Sequence, residues 1–142
     1  MKIFVITDTH FGHRKLIDVG ARPEDFEDRI IKSLRRLDQP DDLVIHLGNV
    51  WLGNRGSKEK ILWGLPGRKV LTLGNHDGES LAFYVKRGFD FVCESFTINR
   101  FGLQILLSHE PVIGSHFDLN IHGHVHSGEH RECDPQPNQI LL

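Results

Sequence analysis

Three hydrophobic runs in this chain stop at a glycine followed by a side chain able to bind a metal ion. VIHLGNVW stops at Gly48-Asn49, VLTLGNHD at Gly74-Asn75-His76-Asp77, and NIHGHVH at Gly123-His124-Val125-His126. A fourth run, KIFVIT, leads into Asp8-Thr9-His10, and a fifth, ending in LLS, leads into His109. The chain has ten histidines, most of them within two residues of a glycine, asparagine or aspartate. Histidine clustered with oxygen donors is a metal hypothesis. Asp8 and His10 are two residues apart, as are His124 and His126, so on an extended backbone each pair points to one side. Glycine lets the chain bend sharply and approach closely, which aims the next side chain across the strand ends. Plainer readings stand beside this one. Asp8 and Asn75 are also turn formers. His46 and His122 read as structural histidines within strands, His46 as a partner to the ligands. His116 and His130 read as surface residues.

Such residues need elements that end together. Lys2–Thr7 is a compact β-rich run, and Asp8–His13 behind it is polar and turn-like. Pro23–Asp38 reads as a helix. Proline suits a first helical position, Glu24 and Asp25 favour the positive end, and Phe26, Ile30, Ile31, Leu34 and Leu37 recur at helical spacing. After a turn at Gln39-Pro40-Asp41 come a strand over Asp42–Leu47, a short helix over Lys58–Trp63 and a strand over Arg68–Leu73. Glu79–Arg87 reads as a helix with Gly88 as its C-terminal cap. Phe89–Ile98 and Leu103–Ser108 read as two strands of a hairpin, and a last apolar stretch lies near Phe117–Ile121. This order predicts an α/β domain with a largely parallel sheet and an antiparallel tail. Ligands of such sheets bind at the carboxyl ends of the strands. Every candidate ligand falls there.

The bulk properties narrow the function. A chain of 142 residues makes one domain, 1–142, with a real core. A net charge of −2, with the 17 basic residues scattered, gives no strong platform for nucleic acid or an anionic membrane. Two cysteines, Cys93 and Cys133, are too few for a disulfide framework, so a reduced, cytoplasmic setting is expected. The opening apolar run is too short for a signal peptide or a membrane span. Gly53-Asn54-Arg55-Gly56-Ser57-Lys58 lacks the spacing of a P-loop. The closing Gln139-Ile140-Leu141-Leu142 reads as a strand just begun, so the expected fold lacks its last strand or strands.

Asp8-x-His10, Gly48-Asn49, Gly74-Asn75-His76-Asp77, His109 and Gly123-His124-x-His126, in this order and spacing, resemble the motif set of the calcineurin-like metallophosphoesterases. TDTHFGHRKLI, with LGN, GNHD and LSHEP, resembles the small bacterial and phage members of that superfamily. The resemblance implies a layered α/β/β/α fold with mixed sheets. It implies two divalent ions, one on Asp8, His10 and His126, the other on Asn75, His109 and His124, with residue 49 bridging them. It implies His76 as general acid or electrostatic partner at the leaving-group oxygen, and in-line attack on phosphorus by a hydroxide held between the ions. Two ions roughly 3.5–4 Å apart can stabilise both attacking and leaving oxygens. The mixed nitrogen and oxygen ligands favour Mn²⁺, with Fe, Zn, Ni and Co as other candidates. His13 and Arg14, just past His10, are candidate contacts to the substrate phosphate.

Two positions depart from the family pattern. Residue 49 is normally an aspartate whose carboxylate bridges the ions, and here it is asparagine, one neutral acceptor beside an NH₂ group that repels cations. Weakened metal occupancy and reduced turnover are expected, whether Asn49 is natural or an Asp→Asn change in an active enzyme. Leu52 stands where many members carry an Asp or Asn that orients the catalytic histidine. The leading expectation is a phosphodiesterase acting on a small cyclic or short nucleotide. The alternatives are an inactive metal- or nucleotide-binding scaffold, favoured by Asn49, and a nuclease.

Overall fold

The structure, a computed structural model, describes residues 1–37, 39–52, 64, 66–125 and 138–142. Two four-stranded sheets share the chain between them. The first is formed by β1 (Ile3–Ile6), β2 (Leu43–His46), β3 (Arg68–Thr72) and β4 (Phe91–Cys93), paired in that order and all parallel. The second is formed by β5 (Ser95–Arg100), β6 (Leu103–Ser108), β7 (Leu119–His122) and β8 (Gln139–Leu141). There β5 and β6 are antiparallel, while β6, β7 and β8 are parallel. Three helices are described: α1 (Lys15–Asp18), α2 (Phe26–Leu37) and α3 (Leu81–Val85).

Strand alternation divides the core in two. Along β2 and its exit, Leu43, Ile45 and Leu47 point one way, packing with Val5, Val70, Leu107 and Ile121 into a core between the sheets. On the opposite face of the first sheet, Leu71 and Val92 pack with Ile31 and Leu34 of α2, Tyr84 of α3, and Phe11, Val50 and Trp51 from the loops. The layers are therefore helix, sheet and sheet, with the first sheet covered on both faces. That is why its strands read as almost continuous apolar runs.

Several expected elements change at their ends. The run Phe89–Ile98 is not one strand. It breaks at Glu94, with β4 closing the first sheet and β5 opening the second. A single continuous β-rich run carries no mark of the point where it changes sheet. The hairpin between β5 and β6 turns on Phe101 and Gly102, both at positive φ (54° and 76°), which suits a two-residue turn and the right-handed strand twist. The expected helix Pro23–Asp38 is regular over Phe26–Leu37, and Asp38 lies outside the described residues. The expected helix over Glu79–Arg87 is shorter, beginning at Leu81 because Ser80 caps it by accepting the Phe83 peptide N–H. The expected helix Lys58–Trp63 lies outside the described residues. Strand β8 pairs in full with β7. No helix among the described residues is long and apolar enough to cross a membrane.

Leu107 lies at the centre of the core between the sheets and is fully buried. Leu107→Ala is expected to lower unfolding stability by ~2–5 kcal/mol, the range for emptying a packed leucine site. Urea unfolding followed by circular dichroism measures it, and a loss under about 1 kcal/mol would show that the sheets do not depend on this core.

Candidate metal centre

Strands β1, β2, β3, β6 and β7 all deliver their carboxyl ends to one rim. Asp8 and His10 follow β1, Asn49 follows β2, Asn75 and His76 follow β3, His109 follows β6, and His124 follows β7. Beyond the strand ends, β1 and β2 stay paired through their loops: the peptide N–H of Asp8 donates to the Gly48 carbonyl, that of His10 to Asn49, and that of Phe11 to Val50. Asp8, His10, Asn49 and His124 all hold left-handed backbone, with φ of 51°, 47°, 57° and 70°. Asn, Asp and His enter this region more readily than other side chains, at a cost of about 1–2 kcal/mol each. Four such residues at one rim mark a place where local strain is accepted for position.

The glycines act mainly through proximity. A Cβ on Gly74 would lie 2.6 Å from the Asn49 nitrogen, and one on Gly48 would lie 2.6 Å from the Gly74 nitrogen and 2.8 Å from His109 Nδ1. A Cβ on Gly123 would lie 2.5 Å from Asp8 Oδ2. Only Gly48 of the three also needs a positive φ, 91°. The expected sharp bend therefore holds at Gly48, while Gly74 and Gly123 serve close packing.

The carboxylate of Asp8 has two distinct ends. Its Oδ2 accepts the Thr7 hydroxyl at 2.7 Å and the His124 peptide N–H at 2.9 Å. Its Oδ1 turns to the rim, 3.3 Å from His10 Nε2 and 3.1 Å from Asn49 Nδ2. Burial alone would raise the Asp8 pKa, but hydrogen bonds from His10, Thr7 and the His124 peptide hold it well below the usual carboxylate range. His109 is oriented by Leu47, whose carbonyl lies 2.7 Å from Nδ1 and can only accept. In its neutral form the ring thus carries its hydrogen on Nδ1 and turns the Nε2 lone pair to the rim. That atom lies 3.0 Å from Asn75 Oδ1 and 3.1 Å from His124 Nδ1. Beneath the rim, Asn120 holds the His109 turn by donating to the Ser108 hydroxyl and accepting from the Val112 peptide.

Asn49 sits at the centre. Its Oδ1 accepts the His76 peptide N–H at 3.0 Å, and this contact fixes which way the carboxamide faces. The NH₂ is therefore turned to the ligand atoms, 3.1 Å from Asp8 Oδ1, 3.0 Å from Asn75 Oδ1 and 3.1 Å from His109 Nε2. Asp77 holds the same turn from below. Its Oδ2 accepts the peptide N–H of Asn49 at 2.6 Å and of Gly74 at 2.9 Å, and its Oδ1 accepts that of Val50 at 3.2 Å. Burial raises the Asp77 pKa against these bonds. Its oxygens accept three peptide N–H groups, so Asp77 braces backbone rather than the adjacent His76 ring.

The test for metal is the donor chemistry. Asn75 Oδ1 and His109 Nε2 lie 3.0 Å apart, and the Asn49 NH₂ stands beside both at 3.0 and 3.1 Å, where a cation would serve the same two donor atoms. Asn75, His109 and His124 fit one divalent ion, and Asp8 with His10 fits part of another. The bridging position does not fit, because Asn49 presents hydrogens there. Among the described residues no three His, Cys, Asp or Glu side chains enclose an ion by themselves, so the asparagines are needed to complete either group. His126, expected to ligate beside Asp8 and His10, lies outside the described residues. His76 is exposed at the rim, its ring centroid 5.8 Å from that of His10. His13 packs near His10, ring centroids 5.5 Å apart, while the Arg14 side chain is exposed at the start of α1.

The sequence reading did not single out several supporting residues. The hydroxyl of Thr9, with one hydrogen, lies 2.9 Å from the Val50 carbonyl and 2.9 Å from His46 Nε2. The carbonyl can only accept, so Thr9 donates to it and His46 donates to Thr9. His46 is therefore neutral with its hydrogen on Nε2, it is fully buried, and burial pushes its pKa down to about 3. Glu27 Oε1 accepts the Gly12 peptide N–H at 2.6 Å, and Arg22 Nη2 donates to the Asp8 carbonyl at 2.7 Å. Thr7 and Thr9 flank Asp8 and could have been found by position. Arg22 and Glu27 come from a separate segment and left no local signal.

A sequence model of the calcineurin-like phosphoesterases matches residues 1–126. The chain is 31% identical over 139 residues to the uncharacterized protein MJ1445 of Methanocaldococcus jannaschii, covering 89% of this chain and 70% of that protein. It is 29% identical over 156 residues to the Gene 66 protein of Mycobacterium phage L5, covering 85% and 75% of the two chains. The crystal structure of AQ665 from Aquifex aeolicus, a protein of unknown function, superimposes with a TM-score of 0.76 at 30% identity, covering 88% of this chain and 80% of that one.

The sign of the His46 effect on stability follows from its depressed value. Between its unfolded value near 6.5 and its folded value of about 3, the unfolded chain binds a proton that the folded chain does not. Stability therefore falls with falling pH through that window, by on the order of 1.4 kcal/mol per pH unit from this group. His46→Gln keeps a donor for Thr9 and cannot titrate there, so its stability against pH is expected to be flatter between pH 6.5 and 3. Parallel curves for the two proteins in urea titrations would remove His46 from the account.

Proposed function

Because the chain belongs to the calcineurin-like phosphoesterase family, we propose that its strand-end rim is a two-site metal-dependent phosphoesterase centre. We propose as its substrate a small phosphodiester such as a cyclic or short nucleotide. The observation that carries this reading is the placing of Asn75 Oδ1 and His124 Nδ1 each about 3 Å from His109 Nε2, with His109 Nδ1 engaged by the Leu47 carbonyl. Asn75, His109 and His124 would hold one ion, and Asp8 and His10, with His126, the other, Mn²⁺ being the favoured metal. Divalent ions held there supply positive charge to a phosphoryl oxygen and lower the pKa of water.

The chain's own residues do the rest. Leu47 keeps the Nε2 lone pair of His109 facing the rim. Thr7 and the His124 peptide hold Asp8 so that Oδ1 faces the rim, with its charge maintained at neutral pH. Asp77 fixes the turn that carries Asn49. His76, exposed at the same rim, is placed in the role of proton donor to the leaving-group oxygen from a ring nitrogen. His13 and Arg14 are kept as candidate contacts at the mouth. The 142 residues act as one domain in this reading, and the few cysteines suit the cytoplasm.

Asn49 favours a second reading, a metal- or nucleotide-binding scaffold of low activity. Its NH₂ faces Asp8, Asn75 and His109 where a bridging oxygen would serve two ions. One comparison separates the two. Asn49→Asp is expected to raise the Mn²⁺-dependent rate on bis-p-nitrophenyl phosphate at least about tenfold, ~1.4 kcal/mol of transition-state stabilisation. Bound metal measured by elemental analysis is expected to rise alongside it. Equal rates and equal metal content in both proteins would sink the phosphodiesterase reading of this site and leave the scaffold. Running p-nitrophenyl phosphate and 2′,3′-cyclic nucleotides beside it separates monoester from diester preference, and a salt-dependent gel shift with single-stranded nucleic acid would point to a nuclease.

A further inference from the structure

We propose that Arg22 is the side chain that receives the substrate's phosphate. The proposal rests on the phosphoesterase reading above, and it gives the role suggested by sequence for Arg14 to a residue from a different loop. Arg22 is tied at both ends. Its peptide N–H donates to the Leu16 carbonyl at 3.0 Å, and Nη2 donates to the Asp8 carbonyl at 2.7 Å. Its guanidinium carbon lies 5.2 Å from the centroid of the Phe26 ring. A guanidinium has five N–H donors, and only the one on Asp8 finds an acceptor among the described residues.

The missing partner is informative because Arg22 is half-buried and sits beside the ligand cluster. Its neighbour Arg29 pairs with Asp25 at 2.8 Å, whereas no carboxylate among the described residues forms an ion pair with Arg22. Asp8 is near enough to act on the guanidinium electrostatically, but its carboxylate is occupied by Thr7, the His124 peptide, His10 and Asn49. A partly desolvated cation with a held, planar fork and no counter-anion is a receptor for one. Phosphate oxygens match the geometry of the fork bidentately. Arg14, exposed and without a side-chain bond among the described residues, would have to be ordered on binding, whereas Arg22 is already in place.

The test measures binding and turnover separately on the full chain loaded with Mn²⁺. Arg22→Ala is expected to weaken inorganic phosphate binding in calorimetry at least about tenfold, and to raise KM for bis-p-nitrophenyl phosphate by a similar factor in the Asn49→Asp background. Mn²⁺ affinity and thermal midpoint are expected to stay near those of the parent. Arg22→Lys is expected to recover only part of the phosphate affinity, since an ammonium cannot reproduce the fork. Arg29→Ala, which breaks an exposed pair, is expected to change neither quantity. Unchanged phosphate affinity with lost Mn²⁺ affinity would overturn the proposal and make Arg22 a brace for the Asp8 peptide. A larger loss from Arg14→Ala would also overturn it. Should Arg22→Ala fail to fold, Arg22→Lys carries the test, and full phosphate affinity in it refutes the proposal. Absence of hydrolysis in both parent forms, with Arg22-dependent phosphate binding intact, would fell the phosphoesterase reading alone. Hydrolysis and phosphate binding both indifferent to Arg22 would fell only this proposal.

Discussion

Three strand ends meet at the rim more closely than a β-carbon permits. Gly48 lies against Gly74, Gly74 against Asn49, and Gly123 against Thr7 and Asp8. The other contacts of the rim depend on that approach. It lets the His124 peptide reach the Asp8 carboxylate from across the sheets, and the His76 peptide reach Asn49. It also lets one carboxylate, Asp77, hold the turns after β2 and β3 together. Interiors this dense do not deform smoothly, so ligand atoms carried by such turns keep their places.

The electrostatics of the rim follow from that crowding. Lone pairs from Asp8, Asn75 and His109 are brought within hydrogen-bond distance of the Asn49 amide. The Asn49 amide answers them with hydrogens, as a cation would answer them with charge. The same group then has two opposite consequences. It makes the bare rim self-consistent, and it withholds the oxygen that two ions would share. In the proposed centre, stability and function compete at this one group, a common pattern at active sites.

Around the rim stands a layer of residues whose work is to aim others. Leu47 selects the tautomer of His109, Thr9 and His46 brace the peptide between Asp8 and His10, and Glu27 holds the loop at Gly12. Arg22 joins this layer through the Asp8 carbonyl, the one acceptor its fork finds among the described residues. The loops carry the chemistry, and two sheets with a shared core keep them still.

That Asp8, His10, Asn49, Asn75, His76, His109 and His124 lie at strand ends was legible in the chain because each directly follows, or nearly follows, an apolar run that ends in a turn. Fold class was legible for the same reason: buried parallel strands are apolar throughout and helices keep their own period. Which way Asn49 turns its amide, and that Asp77 serves backbone rather than His76, were decided by contacts between segments distant in sequence. So was the division of Phe89–Ile98 between two sheets, since a β-rich run looks the same in either. Arg22 shows the limit most plainly. Its residue type and neighbours give no hint of Asp8, 14 positions away, and only the folded chain sets a guanidinium on the Asp8 carbonyl with no ion-pair partner among the described residues. Local pattern determines which residues lie at strand ends. Packing alone determines which of their atoms face one another.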